Sequence, residues 1–444
     1  MNILLLLLSV VLIILLTAKF KIHPFLALIF SALFYALLSG MPFELILKSI
    51  NDGFGNTLAE IGIVIVLGVI IGAFLEHSGG AFKLAEVVLR IIGRKRVHEA
   101  MAIIGYIVSV PVFADSGFII LSPLNKSLSK KAGLSIAGTG VALILGLTLT
   151  HVMVPPTPGP IAAAGILGAD VGLVMLLGLA VSSVTLVVAI IYSKTVAAKT
   201  YIDPNPEYSE EEIEEKIKSA PSALKSFLPI LIPVILIVGK SLVEFNMETT
   251  EQNVAWIGVV KFLGSPIIAL IIGMLLAFLL PKKFDMEILS ATGWVGKAMG
   301  SASTILLITG AGGIFGEVLQ NSGIGDSMTE LLSGVSLGIW LPFLLCAAIK
   351  TAQGSSTVAL ITTASIMAPL LVTLGFESEM QKALMVVAIG AGAAVVTHAN
   401  DSGFWVVTQL TGMDIKTGYK LFTLGTFVIG VFAAFLVFLL SLFL

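Results

Sequence analysis

Charge is scarce in this chain. Asp, Glu, Lys and Arg make up 12% of its 444 residues, whereas 57% are apolar. Soluble globular domains carry about 25% charged residues, so a soluble fold is excluded. Cysteine is scarcer still: Cys346 stands alone, which rules out an intrachain disulfide and a multi-cysteine metal site. No basic or aromatic cluster marks a nucleic-acid surface, and the net charge of −2 points to no partner. The sequence has no Walker A loop and no cofactor motif. His98-Glu99 lacks the second histidine of a zinc-protease helix. Gly323-Ile-Gly325-Asp326 resembles an intramembrane protease signature, but no partner aspartate motif accompanies it, so it reads as chance.

What is present is a series of apolar runs, each about long enough to cross a ~30 Å hydrocarbon core as a helix. They do not alternate as barrel strands do. The fold class read from them is an all-α polytopic membrane protein. Met1 to Thr17 lacks a basic leading segment and a cleavage site, and so reads as an uncleaved first span. Helices are expected near 3–18, 24–40, 60–77, 134–168 and 171–193, then 226–243, 262–281, 298–320, 383–411 and 419–443. One aqueous segment divides them, residues 199–225, with Pro204, Pro206 and the acidic run Glu210, Glu211, Glu212, Glu214 and Glu215. It reads as a solvated cytoplasmic linker between a first transmembrane repeat, 1–198, and a second, 226–444.

The halves echo each other. Gly68-x3-Gly72-x2-Leu75-x2-Ser78-Gly79 matches Gly312-x3-Gly316-x2-Leu319-x2-Ser322-Gly323, and Thr150-His151 matches Thr397-His398 at nearly the same spacing. Asp-Ser-Gly-Phe also occurs twice, from Asp115 and from Asp401, but off that period. On the period, Asp115-Ser116 falls near Ser355-Ser356. Two apolar stretches, about 99–130 and 336–373, are interrupted at Asp115-Ser116-Gly117 and at Gln353-Gly354-Ser355-Ser356. Arg94, Lys95 and Arg96 flank the first on one side, and Lys126, Lys130 and Lys131 on the other, so it reads as a re-entrant hairpin from the cytoplasm. The second is flanked by Glu330, Glu377 and Glu379 and reads as a hairpin from outside. Each half then has five crossings, ten in all, and the odd number inverts the second repeat. This arrangement puts both termini outside and all but five of the 25 Lys and Arg on the cytoplasmic side; Lys48, Lys240, Lys261 and Lys382 lie outside, and Lys350 in the membrane.

Two of the spans must break. Prolines 155, 156, 158 and 160 cannot continue a helix, and Thr157 before Pro158 reads as an N-cap. The other break falls at Thr397 to Gly403, where Asn400 to Ser402 can cap the second half-helix. Broken backbone at membrane depth survives where it lines a cavity or is buried in protein, and half-helix N-termini suit an anionic group. Asp115 and Asp401 read as proton or substrate carriers, or as caps. His151 and His398 read as relays or as core histidines. Lys350 meets a substrate carboxylate or an acid of the protein. Ser116, Gly117, Thr351, Gln353, Gly354, Ser355, Ser356, Thr357, Asn400 and Ser402 complete the candidate substrate site with Thr157, and small polar residues of this kind also pack between helices. Gly68, Gly72, Gly312 and Gly316 read as close-packing positions, and Glu76 and His77 as interfacial residues at a helix end.

Five segments in order, Gly53-Phe-Gly-Asn-Thr-Leu-Ala-Glu-Ile-Gly62, Val110-Pro-Val-Phe-Ala-Asp-Ser-Gly-Phe118, His151-Val-Met-Val-Pro-Pro-Thr-Pro-Gly-Pro160, Lys350-Thr-Ala-Gln-Gly-Ser-Ser-Thr357 and Thr397-His-Ala-Asn-Asp-Ser-Gly-Phe404, are similar to those of the gluconate:proton symporter family, across essentially the whole chain. The resemblance implies a multi-pass inner-membrane protein within a wider group of ion-coupled carboxylate transporters with inverted repeats. It implies uptake of gluconate or a similar sugar acid with protons, Asp115, Asp401, His151 and His398 being candidates for the proton. D-serine, a sodium-coupled carboxylate, a passive channel, an intramembrane enzyme and a homodimeric assembly stay open at this level.

Overall fold

The computed structural model describes residues 2–93, 96–206, 210–246, 255–324 and 337–443. Arg94, Lys95, Gly325, Asp326 and Glu330 lie outside them. Among the described residues all regular structure is helical. The chain begins with α1 (Asn2–Ile14) and α2 (Pro24–Leu38), the latter started by Pro24 at its first position and by His23, whose Nδ1 accepts from the Phe25 N–H at 3.3 Å. Both are short for a crossing by themselves. α3 (Phe43–His77) has 35 residues and begins well before the expected 60–77. The polar side chains of Lys48, Asp52, Asn56 and Glu60 hide this first part from a hydropathy reading. It stays helical because it packs on α14 (Trp294–Asn321): a Cβ at Gly53 would stand 2.6 Å from the Gly313 carbonyl oxygen. Only glycine at that crossing lets the two backbones touch.

Next come α4 (Gly80–Ile92), α5 (Val97–Val108), α6 (Ala114–Ala132), α7 (Ile136–Met153), α8 (Pro158–Leu167) and α9 (Val171–Thr195). The segment after α9 is tied back to the start of α7, where the Ser135 hydroxyl donates to the Thr200 carbonyl at 2.7 Å. Lys130 lies 2.9 Å from Asp203 and holds that exposed carboxyl below the usual range. The acidic run forms α10 (Glu210–Ser219), which packs on α4 and α6. Beyond it lie α11 (Ala223–Asn246), α12 (Ala255–Leu263) and α13 (Pro266–Ala277), α12 and α13 bent by 66°. After α14 come α15 (Trp340–Gln353), α16 (Ser356–Met367), α17 (Glu379–Ala394), α18 (Ser402–Thr411) and a last long helix, α19 (Ile415–Ser441).

Six described helices are long and apolar enough to cross a membrane unaided, or seven with the bent pair counted as one span. The order of elements recurs: a pair (α5 and α6, α15 and α16), an interrupted helix (α7 and α8, α17 and α18), then a long helix (α9, α19). The innermost helices are α7, α8, α16 and α17, which are buried along nearly their whole length.

The interruption between α5 and α6 is not at Asp115-Ser-Gly, where the sequence placed it, but at residues 109–113. Pro111 lacks the N–H a continuing helix needs. The Ser109 hydroxyl closes the turn by donating to the Val112 carbonyl at 3.0 Å, and Phe113 is the extended N-cap position of α6. Asp115 therefore sits in the first turn of α6. Between α15 and α16 the break is at Gly354 and Ser355. Gly354 has φ +96°, and a Cβ there would lie 2.3 Å from the Asn400 carbonyl oxygen, so glycine is required both for the backbone turn and for the space.

Candidate functional site

A cavity of about 530 Å³ opens where these interruptions converge. The start of α6 supplies Phe113, Ala114, Asp115 and Ser116. The end of α15 and start of α16 supply Gln353 to Thr357. α7 contributes Ile144, Thr148 and His151, and the stretch entering α18 contributes Thr397 and Asn400 to Gly403, with Phe422 from α19. Three helix N-termini, those of α6, α16 and α18, thus line one space.

The three N-termini differ in charge. Asp401 is the N-cap of α18; one oxygen accepts from the Gly403 N–H at 2.7 Å, and the other pairs with the Lys350 ammonium. Lys350 is fully buried and also donates to the Gly354 carbonyl. Asp115 lies in the first turn of α6, accepts from the Ser402 hydroxyl at 2.8 Å and has no ion-pair partner among the described residues. The two carboxylates flank one backbone position: a Cβ on Gly403 would stand 2.8 Å from Asp115 Oδ1 and 3.1 Å from Asp401 Oδ1. The third N-terminus, of α16, carries no charge. Ser355 caps it by accepting from the Val358 N–H at 3.3 Å.

Around this core, Gln353 braces the turn with both ends of its amide, donating to the Ser355 carbonyl and accepting from the Ser355 N–H. The Asn400 amide donates to the Thr351 and Ala352 carbonyls at 2.9 and 3.2 Å, and its Oδ1 is buried without a partner among the described residues. His151 Nδ1 is also buried without a partner among the described residues, and its ring meets the Phe113 ring edge-on at 5.9 Å. Ser356 spends its hydroxyl on the Ala393 carbonyl at 3.0 Å. The hydroxyls of Ser116 and Thr357 face the space with no protein partner among the described residues.

Of the residues singled out in the sequence, Asp115, Ser116, His151, Gln353, Gly354, Ser355, Ser356, Thr357, Asn400, Asp401 and Ser402 line the cavity. Lys350, Thr351, Gly117, Thr157 and His398 do not. Lys350 is engaged by Asp401. The Thr351 carbonyl instead holds His398 Nε2 at 2.8 Å, with that ring stacked on Tyr419. Gly117 faces α7, where a Cβ would meet Leu147 at 2.6 Å. Thr157 is the N-cap of α8 with Pro158 after it, but its hydroxyl turns back to the Val154 carbonyl at 2.6 Å, away from the cavity. Thr148 and Ile144 were missed, although 144, 148 and 151 lie on one helix face and the spacing alone gives them once His151 is chosen. Nothing in the sequence marks Phe422.

The chain is similar to proteins of known kind over its full length. Residues 1–443 match the model of the GntP family permease. A gluconate permease of Pseudomonas aeruginosa is 34% identical, covering 98% of this chain and 96% of its own. The D-serine transporter DsdX of Escherichia coli is 33% identical over 98% and 97%. Among solved structures, the YdaH transporter of Alcanivorax borkumensis superposes with a TM-score of 0.66 over 95% of this chain and 98% of that one, at 16% identity, a likeness of fold alone.

Proposed function

The chain belongs to the GntP permease family, as a multi-pass membrane transporter and not an enzyme, and on that premise we propose that it imports gluconate or a similar small sugar acid by proton symport. The observation that carries this reading is the charge pattern of the three converging helix N-termini. Asp401 with Lys350 neutralises one and Asp115 occupies another, which leaves the N-terminus of α16 for the substrate carboxylate. The free hydroxyls of Ser116 and Thr357, with Asn400, suit the hydroxyls of a sugar acid.

Proton coupling is an electrostatic consequence. An ionised Asp115 and a bound carboxylate share one cavity. At roughly 5 Å and an effective dielectric of about 20 their repulsion is about 3 kcal/mol, on the order of a hundredfold in affinity. Protonating Asp115 removes that term, so anion and proton bind together. Asp401, paired with Lys350, positions the start of α18. His151, whose Nδ1 has no partner, stands beside this pair as a relay; His398, fixed to Thr351, supports the α15–α16 turn. The recurring order of elements supports a first repeat in 1–198, a cytoplasmic linker in 199–225 and an inverted second repeat in 226–444. The pairs α5–α6 and α15–α16 act as re-entrant hairpins within ten crossings, in the cell inner membrane.

A second reading has one observation in its favour: Asp115, lacking a cation, is placed to hold the ammonium of D-serine. Uptake into proteoliposomes under an imposed pH gradient, with gluconate and D-serine offered separately, decides between them. Gluconate is expected to accumulate and D-serine is not. Asp115→Asn is expected to abolish accumulation while leaving gluconate exchange at equal pH. If neither substrate accumulates and collapse of the gradient changes nothing, the symport reading fails.

A further inference from the structure

A second, smaller cavity of about 200 Å³ lies on the other side of the turn between α5 and α6. Glu76 and His77 at the end of α3 line it, as does Lys297 of α14. Val69, Gly72 and Ala73 of α3, Ala298 and Ser301 of α14 and that turn complete its wall, and two residues, Phe113 and Ser116, line both cavities. Phe113 and Ser116 thus stand at the boundary between Glu76's cavity and the space that holds Asp115. Sites for small molecules usually measure ~300–1,000 Å³, so the smaller cavity is narrow for a sugar acid. It is ample for water, which needs only ≳10–15 Å³ of probe volume per molecule and a few polar partners.

Resting on the symport reading, we propose that Glu76 takes the coupled proton from Asp115 and passes it to the cytoplasm through this smaller cavity, on a route the substrate does not share. The proton leaves the Asp115 carboxyl, passes along waters held by the Ser116 hydroxyl and arrives on a Glu76 carboxylate oxygen. Glu76, now protonated, releases the proton to the water at the end of α3 and returns to the carboxylate, while Asp115 is left ionised. The Phe113 ring closes the passage to anything larger. Glu76 makes no ion pair among the described residues. The ionisable groups sharing its cavity are His77, which is tied to the Ala73 carbonyl at 2.8 Å and stacked on Trp294, and Lys297. No charged side chain from α4 or α13, also packed on α3, lines it. At the donating end the groups around Asp115 are Asp401, Lys350 and His151.

The test uses the full chain in proteoliposomes, with gluconate as the probe and a pH dye inside. For Glu76→Gln, gluconate exchange at equal pH is expected to stay within about twofold of wild type. Gradient-driven accumulation and the accompanying proton influx are expected to fall on the order of a hundredfold, the scale of a lost proton-transfer group. Glu76→Asp is expected to restore both. The proposal is overturned if Glu76→Gln accumulates gluconate with an unchanged proton-to-gluconate ratio. It is equally overturned if exchange and accumulation fall in the same proportion and Glu76→Asp rescues neither, which marks a structural role. Wild-type uptake of gluconate without protons would instead sink the symport reading itself, so the two failures are distinct.

Discussion

Lys350 and Asp401 are 51 positions apart in sequence and form a buried pair at the heart of the site. Removing one partner of such a pair costs about 3–5 kcal/mol, because the other charge is left desolvated and alone. Asp401→Asn and Lys350→Met are each expected to lower the melting temperature of the detergent-solubilised protein by several degrees. The double substitution should recover more than half of that loss. Asp115→Asn should leave the melting temperature close to wild type, since its partner is the neutral Ser402 hydroxyl, which an amide oxygen also accepts from. If Asp115→Asn melts as early as Asp401→Asn, the distinction between a positioning and a proton-carrying carboxylate is lost. At this scale the sequence identified both aspartates as unusual but could not rank them. Rank depends on which one a lysine from another helix reaches.

Among the helices, close approach is written in glycine. The positions read as packing sites do pack: a Cβ on Gly72 would lie 2.1 Å from the Pro111 carbonyl oxygen, and one on Gly68 would lie 2.9 Å from that of Pro156. α3 therefore lies directly against the α5–α6 turn and the break before α8, and holds them in place. α7 approaches α5 in the same way at Gly146, where a Cβ would meet the Ala102 carbonyl oxygen at 2.1 Å. Backbone cannot yield as a flexible side chain can, so Gly146→Ala should destabilise by about 1–3 kcal/mol. Gly300, on the exposed part of α14, has nothing within 4 Å of its Cβ position. Gly300→Ala should stabilise by about 0.5–1 kcal/mol through helix propensity. Thermal unfolding of the two variants side by side checks both signs. Hydropathy read these helices well where they are uniformly apolar. It misjudged α3, whose polar first half is kept helical by α14, and it set the α5–α6 break a few residues late because the acid drew attention that belonged to Pro111.

Over the whole molecule, orientation rests on the distribution of Lys and Arg, which favours the cytoplasmic side. Cys346 is the chain's sole thiol and is buried, so single cysteines introduced elsewhere report cleanly. Lys48 and Lys199 are both exposed and stand on opposite sides in the proposed topology. In intact cells a membrane-impermeant maleimide is expected to label Lys48→Cys and to spare Lys199→Cys until the membrane is opened. Labelling of both would sink the inverted arrangement, and the reverse pattern would sink the proposed orientation.

The sequence by itself determined the membrane class, the family and the residues that break helices, because these depend on composition and on local backbone chemistry. It also named most of the polar residues that now line the cavity, since an acid, a proline or a serine cluster inside an apolar run is costly wherever it falls. Only the tertiary structure decided which of them share a space. Lys350 turned inward to Asp401, His398 to the Thr351 carbonyl and Thr157 to Val154. Phe113 and Ser116 became a wall between two cavities. Those outcomes arise from contacts between helices far apart in the chain, where a buried donor or charge must find its partner and no local pattern says which one it will be.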